Sequence, residues 1–383
     1  MKNFALMVGP PGSGKTTYSN ESLKGYVRCS QDEQGKAGYM RKLRESLEAG
    51  VDVVVDRTNP TRAQRAELID LAKKAGYGTA IYWLNEQQAD CLKRIRKRKD
   101  HPTLRADNAI GIAAAMKNYF YGFQVPSARE VDKLVVIGDK PKFTPVRDIR
   151  EEIGDRRHII VGDVHGCLYE LQEMLEELKF DMKEDVLILA GDLVDRGPMS
   201  KEVIEFCMSV PRFHSVIGNH DDRCLRYFEA LNGPEGNRVE VKWGLSKTIS
   251  SLGGKLDEDK RKFIEAFPSI LRIPAGYVVH GGFDPLMTPE EQQRNDCMFM
   301  RFYGGNGYFD DELGVDWWKL WPSDAPRVFF GHVVHESFPD LPNVTPLDGG
   351  CVFGGYLKAW DSRDGIVHFV SAWETHCADH GAD

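Results

Sequence analysis

The octet Gly9-Pro10-Pro11-Gly12-Ser13-Gly14-Lys15-Thr16 constrains this chain more than any other stretch. It fits G-x-x-x-x-G-K-[ST] and directly follows the apolar run FALMV (4–8). Glycines at this spacing let the backbone curl until successive N–H groups face one anion. That geometry needs a strand entering the loop and a helix leaving it. A parallel α/β sheet is the architecture that repeats such passages. The anion is then a phosphate: Gly9, Gly12, Ser13 and Gly14 line it, Lys15 reaches the β- and γ-oxygens, and the Thr16 hydroxyl ligates Mg²⁺, with Thr17 next to it at the helix start. ATP, or another nucleoside triphosphate, with Mg²⁺ is the cofactor this loop calls for.

The rest of the chain keeps the same grammar. VDVVVD (51–56), GTAIYWL (78–84) and KLVVIG (133–138) read as strands, separated by helical-period stretches such as TRAQRAELIDLAKKAG that stop at glycine. The charged segment PKFTPVRDIREEIGDRR (141–157), with its two prolines, marks a linker, placed at 149–157. A second α/β series follows: HIIVGD (158–163), a helical YELQEMLEELKF, VLILAGD (186–192) and HSVIGNHD (214–221). YVVHGG, RVFFGH, GGCVFGGYLKAWD and GIVHFVSAW read as later strands of a mixed or antiparallel sheet, and the tail THCADHGAD as frayed. Two α/β domains result, 1–148 and 158–383.

Composition narrows the setting. No apolar run approaches the roughly eighteen residues of a membrane span, and the N-terminus lacks the pattern of a signal peptide. Eight scattered cysteines with no C-x-x-C pair suit a reducing cytosol. Residues 1–150 hold 27 Lys+Arg against 17 Asp+Glu, a balance of +10; with −8 overall, the remainder carries −18. A basic front half favours a polyanionic partner.

The acceptor of a transferred phosphate needs a base, and Asp32 (in RCSQDEQG) and Asp56 (ending VDVVVD) are the candidates. VVVDRTNPTRAQR (53–65) resembles the strand-plus-D-x-T-N segment of polynucleotide 5′-kinases. That resemblance maps the base onto Asp32. It also implies two lid arginines four residues apart, for which CLKRIRKRKDHP (91–102) offers Arg94 and Arg98, with Arg96 as a rival. The family places an arginine three residues after the base to hold the acceptor phosphate, and here that position is Gly35; Arg28 and Arg41 are the substitutes at hand. Small-molecule kinases share the same chassis.

Three further motifs close apolar runs in the rear half: GDVHG (162–166), GDLVDRG (191–197) and GNHD (218–221). With His280 in YVVHGG, His332 in VFFGH and the closing PLDGGCVFGGYLKAWD (346–361), they resemble the binuclear metallophosphoesterases of the Ser/Thr phosphatase and diadenosine tetraphosphatase branch. Carboxylates and imidazoles in this mixture suit Mn²⁺, Fe or Zn, and Mn²⁺ is the first expectation for a pair of divalent ions. The resemblance implies Asp163 and His165 on the first metal, Asp192 bridging, and Asn219, His280 and His332 on the second. It leaves His220 as general acid, oriented by Asp195, with Arg196 and, by approximate position, Arg301 gripping phosphate. His158, His214, His335 and His368 read as structural, and VDWWKLW (315–321) as packing.

The ordered pair resembles the first two domains of bacterial polynucleotide kinase–phosphatases and related phage end-healing enzymes. The expected function is bifunctional: a 5′-hydroxyl kinase and a 3′-phosphatase acting on RNA or DNA breaks, with 2′,3′-cyclic phosphate as a further candidate substrate of the phosphatase. The alternative is a protein or dinucleoside-polyphosphate phosphatase fused to a small-molecule kinase. No K-x-D-G motif of a ligase domain is found, so a separate ligase is the expected downstream partner, a membrane is not, and an oligomer is left open.

Overall fold

The structure, a computed structural model, describes residues 2–86, 88–97, 108–138, 144–232, 241–242, 244–303, 314–334 and 343–378. The chain divides into two compact units, 1–142 with 302–315, and 143–301 with 316–383.

The first unit runs β1 (Asn3–Val8), α1 (Lys15–Ser22), β2 (Val27–Ser30), α2 (Gln31–Ala49), β3 (Val53–Asp56), α3 (Arg62–Lys74), β4 (Gly78–Asn85), α4 (Gln88–Arg96), α5 (Ala109–Gly122) and β5 (Lys133–Gly138). Its five strands are parallel, in the order β2-β3-β1-β4-β5. Phe4 to Val8 and Val53 to Val55 are buried on both faces, as helices on either side of a parallel sheet require. A buried ion cluster stiffens the far side: Glu130 accepts from Arg65 Nε at 2.7 Å, Arg62 Nε at 3.2 Å and the Ser127 N–H at 2.8 Å. Arg62 also donates to the Tyr303 hydroxyl at 3.1 Å, in the segment 302–315 that the sequence reading assigns to the rear domain.

The second unit holds β6 (Val146–Asp148), α6 (Arg150–Ile153), β7 (His158–Val161), α7 (Leu168–Glu177), β8 (Val186–Leu189), α8 (Ser200–Ser209), β9 (Phe213–Ser215), α9 (Asn219–Asn232), α10 (Leu245–Ser251), α11 (Glu258–Glu265), β10 (Ile270–Ile273), β11 (Gly276–Val279) and α12 (Arg294–Phe299). After the short pair β12 (Phe302–Tyr303) and β13 (Val315–Asp316) come β14 (Val328–Phe330), β15 (Val344–Pro346), β16 (Asp348–Gly349), β17 (Tyr356–Asp361) and β18 (Val367–Ser371). Two sheets face each other, β15-β14-β11-β10-β6 and β16-β17-β7-β8-β9 with β18 beside β17. Alternation explains the layering. Ile160 and Ile188 point between the sheets with Leu271, Val278 and Phe329, whereas Ile159, Val161, Leu187 and Leu189 point at the helices with Leu171 and Met174.

Two expectations change. The stretch 149–157 is no linker: Ile149 and Ile153 are fully buried and β6 pairs with β10, so apolar side chains anchor it to the rear sandwich. Nor is GGCVFGGYLKAWD one continuous strand, because after β16 Gly350 and Gly354 take positive φ and close a 3₁₀ turn over Cys351–Phe353. The tail is held as far as it is described, and His380 and His335 lie outside the described residues. No helix among the described residues is long and apolar enough to cross a membrane.

Candidate active sites

In the first unit the phosphate loop sits between β1 and α1, as its composition demands. Gly9, Gly12 and Gly14 take positive φ, and Ser13 N donates to Pro10 O at 3.1 Å. Lys15 Nζ folds onto the loop, donating to Gly9 O and Pro10 O at 2.8 Å each. Thr16 and Thr17 are exposed on the first turn of α1. Thr16 Oγ1 donates to Asp56 Oδ2 at 2.8 Å, and Arg28 donates to the same oxygen at 2.9 Å. The sheet order explains this: Asp56 ends β3, flanked by β1 with its loop and by β2, where Ser30 pairs with Asp56.

Asp32 is exposed in the first turn of α2, two residues past that register point. Arg28 also pairs with Glu33, while Arg41 lies out on α2 with Glu45 at 4.0 Å. Gly35 interrupts α2 with φ 68° and ψ 170°. A side chain with a β-carbon is strained there, which explains why this chain can carry no arginine at that position without rebuilding the helix. Arg94 donates to Ser13 O at 3.3 Å and pairs with Glu86 at 3.0 Å, so α4 lies against the loop. Arg96 is exposed, and Arg98 lies outside the described residues.

In the second unit every motif residue leaves the carboxyl end of a strand: Asp163 after β7, Asp192 after β8, Asn219 after β9, His280 after β11 and His332 after β14. The histidines are aimed by carbonyls. His165 Nδ1 lies 2.7 Å from Val194 O and His280 Nδ1 2.8 Å from Ala190 O, which leaves each Nε2 turned into the site as a lone-pair donor. Asp192 Oδ2 lies between them, 3.5 Å from His165 Nε2 and 3.3 Å from His280 Nε2. His280 Nε2 is also 2.8 Å from Asn219 Oδ1. Asp163 accepts the His332 N–H at 3.1 Å on both oxygens. Donor atoms of His165, Asp192 and His220, and of Asp192, His280 and His332, each fall within 4.8 Å of one another.

These residues fit two cations. Burial raises the Asp163 carboxyl well above its ordinary range, and the neighbouring Asp348 adds to the shift. Burial also raises Asp348. Burial alone would lower His280, but Asp192 and Asp163 outweigh it and push the imidazole up to about 10. The neighbouring His165 and His332 are instead held well below the ordinary imidazole range, by burial and by Arg196 and Arg301, so both stay neutral and able to offer a lone pair. Backbone strain concentrates here too. Of seven non-glycine residues with positive φ among those described, five are His165, Asp192, Asp195, Arg196 and His332. At Gly331 an added β-carbon would collide with Asp163 Oδ1, so only glycine lets β14 approach this ligand.

His220 stands apart from the ligand carbonyls. Its Nδ1 lies 2.9 Å from Asp195 Oδ2, and its Nε2 faces Asp192 Oδ2 at 4.0 Å. Asp195 Oδ1 accepts from Thr248 Oγ1 at 2.6 Å, and Oδ2 accepts from Arg223. Arg196 NH1 is 3.2 Å from His165 Nε2, and Arg301 Nε is 3.2 Å from His332 Nε2, so both guanidiniums reach the ligand cluster.

Four contributors escaped the sequence reading. Asp348 was visible only as part of the closing segment. Asp221 accepts the N–H groups of Asp192, Leu193 and Gly218, at 2.8, 3.0 and 3.1 Å, and so shapes the bridging loop. Arg223 follows His220 by three residues on α9, a spacing that does announce a shared face. Thr248 carries no signal at all. Outside the site, His158, His214 and His368 sit on β7, β9 and β18, and Trp317, Trp318 and Trp321 are buried.

Comparison with known proteins agrees with this geometry. Residues 36–121 match a family described as an AAA domain. The symmetrical bis(5′-nucleosyl)-tetraphosphatase of Proteus mirabilis is 39% identical over 276 residues, 57% of this chain and 98% of that protein. The asymmetrical enzyme PrpE of Oceanobacillus iheyensis is 29% identical over 225 residues, 52% of this chain and 86% of that protein. A crystal structure of a protein proposed to be a diadenosine tetraphosphatase shares 27% identity with a TM-score of 0.51, covering 61% of this chain and 100% of that one. Residues 157–357 match the family described as calcineurin-like phosphoesterase, and the chain belongs to that family.

Proposed function

We propose that the chain heals nucleic-acid ends, phosphorylating a 5′-hydroxyl with ATP in its first unit and removing a 3′-phosphate in its second. The observation that carries this reading is the cluster Lys15, Thr16, Asp56, Arg28 beside Asp32, a phosphate-donor site in the same chain as a phosphoesterase. Hydrolysis alone needs no donor. Asp56, tied to the Thr16 hydroxyl, suits the Mg²⁺ side, which leaves exposed Asp32 as the base. Arg28 takes the place of the arginine that Gly35 excludes, and Arg94 faces the donor phosphates.

In the second unit Asp163, His165 and Asp192 would hold one divalent ion, and Asp192, Asn219, His280 and His332 the other. Two such ions supply Lewis acidity and a more acidic water. Arg196 and Arg301 grip phosphate oxygens bidentately. His220, oriented by Asp195, protonates the departing oxygen. Salt-sensitive strand affinity follows from the basic front half, and a separate ligase would consume the healed ends.

The names of the relatives favour a second reading, hydrolysis of dinucleoside polyphosphates. One panel decides: [γ-³²P]ATP with a 5′-hydroxyl, 3′-phosphate oligonucleotide, beside diadenosine tetraphosphate. Label on the 5′ end with loss of the 3′-phosphate is the expected result. No label transfer, with the tetraphosphate as the best substrate, would overturn end healing.

A further inference from the structure

The C-terminal segment after β18 is packed onto the loop that flanks Arg196. Trp373 N donates to Glu170 Oε1 at 3.0 Å, and its ring stacks on Tyr169 of α7 with centroids 5.2 Å apart. Downstream, His376 N and Cys377 N both donate to Val352 O, at 3.0 and 3.1 Å, and Lys247 Nζ donates to His376 O at 2.6 Å. Val352 is the middle of the 3₁₀ turn Cys351–Phe353, whose entry is tied by Gly350 N to Asp348 Oδ1 at 2.9 Å. The Arg196 guanidinium lies over the Phe353 ring, 5.0 Å from its centroid. Arg196 is only 8% exposed.

We infer that Phe353, held by the C-terminal strap 373–377, is a positioning residue that sets the Arg196 guanidinium for the substrate phosphate. An aromatic face attracts the cation and fixes the plane of the guanidinium, whose NH1 lies 3.2 Å from His165 Nε2 at the ligand cluster. The ring is fixed because its turn is bonded on one side to Asp348 and on the other to the strap. Without it, a long side chain with many rotamers must be ordered at the moment of binding. The inference rests on Arg196 gripping phosphate, and the experiment separates the two.

The test measures KM and kcat for 4-nitrophenyl phosphate, and Ki for inorganic phosphate, in the full chain with its metals. Phe353→Leu should raise KM and Ki together by about 3- to 10-fold, with kcat changed less than the binding constants, as expected for a lost cation–π contact. Phe353→Tyr should restore both constants. A strap deletion, residues 373–383, should resemble Phe353→Leu, and combining Phe353→Leu with Arg196→Lys should add little to Arg196→Lys alone. If Arg196→Lys leaves Ki unchanged, the phosphate grip itself is wrong. If Arg196→Lys raises Ki but Phe353→Leu does not, or the two losses add fully, the positioning role is refuted.

Discussion

Asp195→Asn tests the chemistry of the second unit most directly. Asp195 accepts from three groups at once, His220 Nδ1 at 2.9 Å, Thr248 Oγ1 at 2.6 Å and Arg223. The substitution keeps the shape and removes the charge. Burial lowers the His220 pKa, and Asp192 and Asp195 oppose that shift. With Asp195 neutral the imidazolium loses support and gives up its proton at a lower pH. The alkaline limb of the kcat profile therefore moves to lower pH. General-acid catalysis contributes about 10²- to 10⁴-fold, and an acid that keeps its place but loses the charge supporting its proton should forfeit the lower part, about 100-fold. At 1.36 kcal/mol per decade that is about 2.7 kcal/mol of barrier. The loss depends on the leaving group. An alkyl phosphate, or a nucleotide 3′-phosphate, must have its alkoxide protonated and should show the full effect. 4-Nitrophenyl phosphate departs as a stabilised phenolate and should lose less than about threefold, since it gains little from an acid. Measuring kcat for both substrates across the neutral range, at saturating metal, gives the answer. Equal losses on the two substrates, or an alkaline limb that does not move, would refute His220 as the acid.

Four other outcomes are expected. Lys15→Ala should abolish phosphate transfer and spare phosphatase activity, whereas Asp192→Ala should do the reverse and lower bound metal per chain by elemental analysis; loss of both activities in a folded variant would contradict independent sites. Gly331→Ala should reduce metal content and activity together, because the new β-carbon displaces Asp163 Oδ1; full occupancy in the variant would show that the loop yields cheaply. Glu130→Gln should destabilise the first unit by about 3–5 kcal/mol in denaturant unfolding, since it leaves two buried guanidiniums facing a neutral amide. The native protein should also show a pH signature there: burial would raise the Glu130 pKa, but Arg65 and Arg62 hold it below its ordinary value. Stability from this cluster is then present above the unfolded-state pKa, near 4.3, and lost as pH falls through the lower folded value, and Glu130→Gln should flatten that dependence.

Residue chemistry at strand ends was legible from the chain alone. GPPGSGKT, GDVHG, GDLVDRG and GNHD are local runs in which glycine and a functional group must sit side by side, so their spacing survives without any knowledge of packing. The parallel first sheet follows from the alternating apolar runs, and His165, Asp192, His280 and His332, which the motif resemblance implied as ligands, come together in the fold. What tertiary structure alone decided are contacts between residues far apart in sequence. Arg28 meets Asp56 because β2 and β3 are neighbours, Thr248 reaches Asp195 from α10, and the tail returns to Val352 after β18. None of these carries a local signature, since a threonine, an arginine or a stretch of backbone N–H groups looks alike in a loop or a site. The linker misreading has the same origin: charge and proline in 141–157 are local signals of a spacer, yet Ile149 and Ile153 find a core that only the folded sandwich provides. Periodicity and motif spacing report what a residue is next to along the chain, and burial and ion pairing depend on what the sheet order brings next to it in space.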